Sequence, residues 1–415
     1  MLTLCLTFVV LLGYGLSVWG FLRRESRSTC LFLAGLVGIA LVLRLIYPHD
    51  YPPGYNPDEP KRFQSSVRAR LADDPISPGY DAVSNLFSAL FSAPLLPLEP
   101  YVGGRFVVRG YSIAAGALSV ALLYTFCRAL ELGVTASLVG AALLVVLPWS
   151  LFYSRVTAAS ELILHELILG TALARLIWDS KAGWREGCAG AFGLTLLLYD
   201  YWAGQVLLVW PLLTLPFLRS RSAAFWCIGI TLVAGLAWLP WWRVSPDQWV
   251  QWEALWSGAA PQATWHRVPD LWSDPFRIIA HRFAQFGACL VHPVAHWSIW
   301  TQPAVLVHPP VVLAAAALGV WYPPIRRTVF LLLSCALAAL PAILTSDLSI
   351  HGHRVLLALP FIAVAATCAI EAVPHRAQSV VAVLFATLAA EQSLTFFFST
   401  TFWPPIIVTS FPFPY

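Results

Sequence analysis

The chain has 415 residues, 59% of them hydrophobic and only 11% charged, with a formal net charge of +4. Soluble domains carry roughly 25% charged and about 45–50% apolar residues, so a mean hydropathy of +0.72 excludes a water-soluble globule. The basic residues are few and scattered, which excludes a nucleic-acid surface.

Apolar runs fall at about 2–21, 30–47, 105–127, 134–153, 160–178, 187–199, 203–218, 223–242, 303–322, 328–346, 354–371 and 378–398. They predict an all-α polytopic membrane protein with about twelve transmembrane helices. The first run reads as a retained first helix rather than a secretory signal. It lacks a basic leading segment and an A-x-A cleavage site, and Arg23, Arg24 and Arg27 follow it instead. Pro211 and Pro240 are expected to kink or end their spans. Basic connections alternate along the chain: Arg23/Arg24/Arg27, Arg128, Lys181/Arg185, Arg219/Arg221, Arg326/Arg327 and His375/Arg376. With twelve spans they all fall on one side, which the excess of Lys and Arg marks as cytoplasmic, with both termini outside.

The other side then carries two long outer loops, at about 48–104 and 243–302, several-fold longer than ordinary connections of about 4–6 residues. Both are rich in Trp, Pro, Tyr and Phe. Segments 62–72 and 82–96 are expected to form amphipathic interfacial helices, and Trp249, Trp252, Trp256, Trp265 and Trp272 form an aromatic surface suited to the headgroup level.

An ionisable group in hydrocarbon costs at least about 2.5–3.5 kcal/mol on insertion scales and is a functional candidate by default. Arg44, Arg109, Arg155, Glu161, Asp200, Arg354 and Glu391 all map to the outer half of their spans. That one-sidedness suggests a polar cavity beneath the long loops. For Arg44 and Arg109 the alternative is a long side chain that snorkels to the interface. Glu161 carries a short carboxylate and cannot reach as far. His165 shares its helix face at i+4, either as a hydrogen-bond partner or as an uninvolved packed histidine, and Glu166 lies at the same depth.

Directly after the second run comes Tyr55-Asn56-Pro57-Asp58-Glu59-Pro60-Lys61-Arg62. An isolated Asp-Glu pair in a loop is usually a solvated surface feature. Here it opens a long aromatic loop, and a second acid, Glu161, follows Ser154-Arg155 at the outer end of a later helix.

This arrangement resembles the C-type glycosyltransferase (GT-C) superfamily, in particular the protein O-mannosyltransferases and bacterial aminoarabinose transferases. Asn56-Pro57-Asp58-Glu59 looks like that family's first-loop motif, and Arg105 through Arg128, with Gly110, Gly116 and Tyr124, like the helix after the loop. Leu147-Pro148 through Tyr153-Ser154-Arg155 and Glu161 is similar to its Pro…Ser-Arg…acid stretch. Leu198-Tyr199-Asp200-Tyr201 with Gln205 and Pro211 resembles a Tyr-rich turn of bacterial members. His353-Arg354-Val355-Leu356-Leu357-Ala358-Leu359-Pro360 resembles its Arg-Tyr-Leu-Leu-x-x-x-Pro helix start. The chain departs from the pattern in having Glu rather than Asp as the second acid, six residues after Arg155, and an extra leading span.

The resemblance implies transfer of a sugar from a polyprenyl-phosphate donor to an acceptor hydroxyl of a glycan, lipid or protein. The enzyme would be integral to the cell (inner or plasma) membrane, among its lipids, with the active site outward. It divides the chain into an extra helix at 1–29, a catalytic membrane core at 30–242 containing the first outer loop, a second outer loop at 243–302, and C-terminal spans at 303–415. It implies Asp58 as general base, Glu59 as an orienting acid and Glu161 as a further acid of the site. Arg354, with Lys61, Arg62 and His353, would receive the donor phosphate, and Arg155, Tyr199, Asp200 and Tyr55 would bind substrate. A divalent metal is left open, since some such enzymes bind one and others do not. His292 and His296 have i, i+4 spacing interrupted by Pro293, and His351 and His353 stand as close to a phosphate contact as to a metal. Two other readings compete: a secondary transporter, which usually shows two similar halves, and an O-antigen ligase or polymerase-type transferase that leans on late Arg and His residues.

Overall fold

The computed structural model describes residues 2–46, 63, 67, 88–155, 160–200, 202–244, 274–291, 310–344 and 356–398. Within them the regular structure is helical, with no strand. The helices are α1 (Leu2–Leu22), α2 (Arg27–Leu45), α3 (Gly104–Ala129), α4 (Val134–Val146), α5 (Pro148–Arg155), α6 (Ser160–Trp178) and α7 (Trp184–Asp200). They continue with α8 (Arg221–Val244), α9 (Pro275–Val291), α10 (Pro310–Trp321), α11 (Ile325–Leu344), α12 (Leu359–Glu371) and α13 (His375–Phe398). Between α7 and α8 the chain advances through short α and 3-10 turns over 202–217, where Pro211 and Pro216 prevent a regular helix.

Five helices among the described residues are long and apolar enough to cross a membrane: Leu2–Leu22, Arg27–Leu45, Phe106–Ala129, Arg221–Leu239 and His375–Thr395. The pair α4 and α5 passes the same test as one span bent by 51°. The outward faces suit lipid. Phe8, Leu12, Leu16 and Trp19 on α1, Phe225, Leu232 and Leu236 on α8, and Val380, Val383 and Leu384 on α13 are all exposed. So much exposed apolar surface is compatible with an all-helical membrane protein and incompatible with free solution.

The core lies between α3, α4, α6, α7 and α12, where Trp149, Trp210, Tyr124, Phe126 and Phe330 are fully buried. Small residues set the closest approaches. A Cβ on Gly319 of α10 would stand 1.7 Å from the Ala365 carbonyl oxygen of α12, so only glycine permits that crossing.

Short turns at 23–26, 130–133, 179–183, 218–220, 322–324 and 372–374 gather at one end of the molecule, stitched together by polar contacts. Arg24 pairs with Asp179. Glu25 receives the Tyr124 hydroxyl at 2.7 Å and Arg128 Nε at 3.1 Å. Glu131 lies 3.6 Å from Arg327, Arg326 donates to the Phe217 carbonyl, and the Gly133 N–H donates to Glu371 at 3.1 Å. The turn after α3 is a Schellman motif, with Leu132 N–H to Cys127 O at 3.1 Å and Glu131 N–H to Arg128 O at 3.0 Å. It holds Glu131 in the left-handed region at φ 63°, which costs a non-glycine residue strain.

Each long loop contributes a packed helical stretch among the described residues, while most of 62–72, all of 82–87 and the tryptophan surface at 249–272 lie outside them. Of the segment 82–96 only 88–96 is described. It forms a π turn (Ser88–Ser92) followed by a 3-10 turn (Ala93–Leu98). Leu90, Ser92 and Ala93 are buried there while Leu98 is exposed, so one side of this stretch packs into the bundle. The second long loop contains α9, which packs on α11. Arg282 and Phe286 form its buried face, while Phe276 is exposed.

Candidate functional site

The end opposite the stitched turns collects buried ionisable groups. Arg44 ends α2, Arg109 opens α3, Arg155 ends α5, Glu161 opens α6 and Asp200 ends α7, and each side chain is at most 1% exposed. Arg44 and Arg109 therefore do not snorkel. The substrate-binding candidates Arg155 and Asp200 and the acid Glu161 lie in this region. Tyr55, Asp58, Glu59, Lys61, Arg62, His353 and Arg354 lie outside the described residues, as do His292, His296 and His351.

Arg44 has a clear structural cause. Pro148 has no N–H, so the carbonyl four residues earlier, Leu144, loses its helical donor, and the helix breaks between α4 and α5. An unsatisfied carbonyl away from water costs free energy. Arg44 fills the gap: its Nη2 donates to Leu144 O at 3.3 Å and to Ser150 Oγ at 2.7 Å. Its Nη1 donates to Val145 O at 3.5 Å and to Ala40 O at 3.1 Å, and its Nε donates to Ser154 Oγ at 2.8 Å. Ser154 Oγ passes its own proton to the Ser150 carbonyl. Gly116 on α3 makes room, because a Cβ there would meet Ser154 Cβ at 2.4 Å and Arg44 Nε at 2.9 Å. Arg155 continues the junction by donating to the Ile46 carbonyl at the end of α2. The first long loop of the sequence follows directly from that point, so Arg155 ties its root to α5.

A second cluster lies across α1, α6 and α7. Tyr14 Oη is 2.6 Å from His165 Nε2, and His165 Nδ1 is 3.2 Å from Asp200 Oδ2. Tyr14 and His165 stack at 5.8 Å and 10°. Phe91 also stacks on the tyrosine ring, at 6.1 Å and 23°, and itself stacks on Tyr111 at 4.7 Å, while Phe192 meets Tyr14 edge-on at 5.6 Å. The histidine is thus neither idle nor simply packed: it bridges a phenol and a carboxylate. Glu161 sits one turn before it on the same face of α6.

Tyr199 points elsewhere. Its hydroxyl donates to the Ala237 carbonyl of α8 at 2.6 Å, tying α7 to α8. Glu166, next to His165, is 1% exposed, and neither carboxylate oxygen has a hydrogen-bond partner among the described residues. Cys335 of α11 is close enough to interact with it electrostatically. Among the described residues no three His, Cys, Asp or Glu side chains are grouped so as to hold a metal ion.

Tyr14 is the functional candidate that sequence reasoning passed over. A signal existed: Thr3, Thr7, Val10, Tyr14, Ser17 and Phe21 recur at three- and four-residue intervals through an otherwise aliphatic helix and form its buried face. Likewise Ser150 and Ser154 stand at i, i+4 just after Pro148. Comparison with known protein-family models gives no match, and comparison with curated proteins gives none either.

Proposed function

We propose that the protein is a multi-span membrane glycosyltransferase of GT-C type. It moves a sugar from a polyprenyl-phosphate donor to an acceptor hydroxyl on the outer face of the membrane. The observation that carries this reading is the separation of charge along the bundle. Ion-paired basic turns occupy one end, and the unusually buried Arg44, Arg155, Glu161, His165 and Asp200 occupy the other. Counting α4 with α5, 202–217 and 356–371 as one span each, and leaving α9 in the outer loop, the chain has twelve spans. The basic turns then share the cytoplasmic side.

In this reading the acceptor hydroxyl gives its proton to Asp58 as its oxygen attacks the anomeric carbon. The bond from that carbon to the phosphate oxygen breaks, and the polyprenyl phosphate leaves as an anion. No general acid is required, because the leaving group is already a phosphate. Arg354, with Lys61, Arg62 and His353, supports its charge. Glu59 orients the first loop, Glu161 supplies a further acid, and Arg155, Asp200 and Tyr55 bind substrate, whereas Tyr199 is engaged with the Ala237 carbonyl. Arg155 favours this arrangement because it anchors the root of the loop that carries Asp58. The lipid tail stays in the bilayer throughout.

One observation favours a transporter instead: a broken helix, at Pro148, lined by two buried guanidiniums. Transfer of label from a pool of polyprenyl-phosphate sugars, labelled in the sugar, separates the two. The expected result is transfer by wild type and none by Asp58→Asn, with polyprenyl-phosphate binding retained. Uptake of free solute into liposomes without any lipid-linked transfer overturns the reading.

A further inference from the structure

Read from sequence, the leading helix α1 is an addition to the catalytic plan. Its contacts say otherwise. It reaches the buried polar end through Tyr14, which the aromatic rings of Phe91 and Phe192 hold in place. Thr7 adds a second tether by donating to the Leu90 carbonyl. At the other end of α1, Arg175 donates to the Phe21 carbonyl at 2.7 Å and its guanidinium stands over the Phe21 ring at 5.0 Å. A helix added only to anchor the chain has no need of a buried phenol placed 2.6 Å from a histidine.

We propose that Tyr14 and His165 are positioning residues for Asp200, so that α1 is a working part of the reaction site. The proposal rests on the transferase reading for its activity and on geometry for its mechanism. Asp200 Oδ2 stands 3.2 Å from His165 Nδ1. A carboxylate accepts hydrogen bonds only, so the neutral ring carries its proton on Nδ1, facing Asp200. That leaves Nε2 with a lone pair, and the Tyr14 O–H donates into it. The phenol thereby selects the tautomer, as the buried aspartate does in a Ser-His-Asp triad. In the proposed reaction Asp200 binds substrate, and the ring 3.2 Å from its carboxylate fixes where that carboxylate stands. Among the described residues, the titratable groups placed with the ring are Tyr14 on α1, Asp200 on α7 and, on its own helix α6, Glu161 one turn before it and the adjacent Glu166. Tyr14 lies in the field of both Glu161 and Asp200.

The test uses the full chain in nanodiscs, with three measurements on each variant: transfer from the labelled polyprenyl-phosphate sugars, binding of polyprenyl phosphate alone, and thermal stability. Tyr14→Phe keeps the stacked ring and removes only the donor. His165→Asn keeps an N–H where Nδ1 stands, whereas His165→Leu keeps neither nitrogen. Arg24→Gln loosens the far end of α1 as a control. The expected result is a fall in kcat/KM of about ten- to a hundred-fold for Tyr14→Phe, the range seen when groups that orient a working ligand are removed. His165→Leu should fall further, His165→Asn should recover part of that loss, and Arg24→Gln should match wild type. Wild-type turnover in Tyr14→Phe overturns the proposal, and so does a loss that follows thermal stability across all four variants. Nitrogen NMR of labelled histidine, assigned by difference against His165→Asn, needs no activity. The ring should be neutral with its proton on Nδ1, and its Nε2 resonance should move in Tyr14→Phe. A protonated or unmoved ring refutes the relay. If wild type transfers no sugar while the ring behaves as stated, the transferase reading fails and the relay stands.

Discussion

Arg44 offers the sharpest test of how this bundle is held together. Replacing it with Met keeps the apolar stem and removes every donor. Two carbonyls, Leu144 and Val145, then face a dry interior without partners, and each orphaned group costs about 1–3 kcal/mol. The Val145 contact is long at 3.5 Å and counts for less than the Leu144 contact at 3.3 Å. Ser150 and Ser154 lose donors at 2.7 and 2.8 Å, although Ser154 still donates to the Ser150 carbonyl. Removing an uncompensated guanidinium recovers part of its desolvation cost. The net expectation for Arg44→Met is a loss of about 2–4 kcal/mol. Unfolding in mixed micelles by added SDS, followed through tryptophan fluorescence, measures it. Pro148→Ala supplies an N–H to Leu144, so Arg44→Met should cost about 1 kcal/mol less in that background. A cost below about 0.5 kcal/mol, or an equal cost with and without Pro148, refutes the view that Arg44 caps the break.

Three further expectations follow from the packing. Glu166→Leu removes a buried carboxyl with no partner among the described residues and should raise stability by about 1–3 kcal/mol in the same micelle assay; a loss of activity alongside that gain marks Glu166 as functional. Gly319→Ala forces a Cβ against the Ala365 carbonyl and should cost more than about 2 kcal/mol, whereas Gly235→Ala on α8, with nothing within 4 Å of the new carbon, should leave stability unchanged or slightly raised. At Asp179, partial burial raises the carboxyl, but the Lys181 N–H and the Arg24 guanidinium outweigh it and hold it below its ordinary value. A depressed carboxyl stabilises the fold above the unfolded value of about 3.9 and loses that contribution as pH falls through the folded value. The pair is partly exposed, so Asp179→Asn should cost at most about 1 kcal/mol at pH 7, with a difference from wild type that holds down to about pH 5, narrows below about pH 4, and shrinks with added salt.

The periodic and compositional features were legible from the chain alone. Runs of apolar residues marked where helices form, because a backbone in hydrocarbon must satisfy its own polar groups. The observed α1, α2, α3, α6, α7 and α13 fall within a few residues of the expected runs. Alternating basic turns marked which connections share an end. Pro211 marked a break, since a missing N–H is a local property; the break at Pro148, inside the expected run 134–153, emerged only in the structure. The concentration of Arg44, Arg109, Arg155, Glu161 and Asp200 in one half of their spans was visible as well.

The partners of those residues were not. Arg44 is separated from Leu144 and Ser154 by about a hundred positions, and Tyr14 from His165 by 151. No local propensity encodes which faces meet across such distances. Whether a buried arginine snorkels, binds a ligand or caps a broken helix depends on which neighbour brings acceptors within about 3 Å, and tertiary packing alone decides that. The same holds for α1: hydropathy identified a helix, and only its contact with α6 and α7 turned a membrane anchor into the bearer of Tyr14. Composition and periodicity thus determined an all-helical chain of long apolar helices with charge gathered at one end, because those properties follow from solvent and backbone. The arrangement of α1, α5, α6 and α7 decided which of the buried charges serve structure and which face one another as a candidate site, because that depends on non-local geometry.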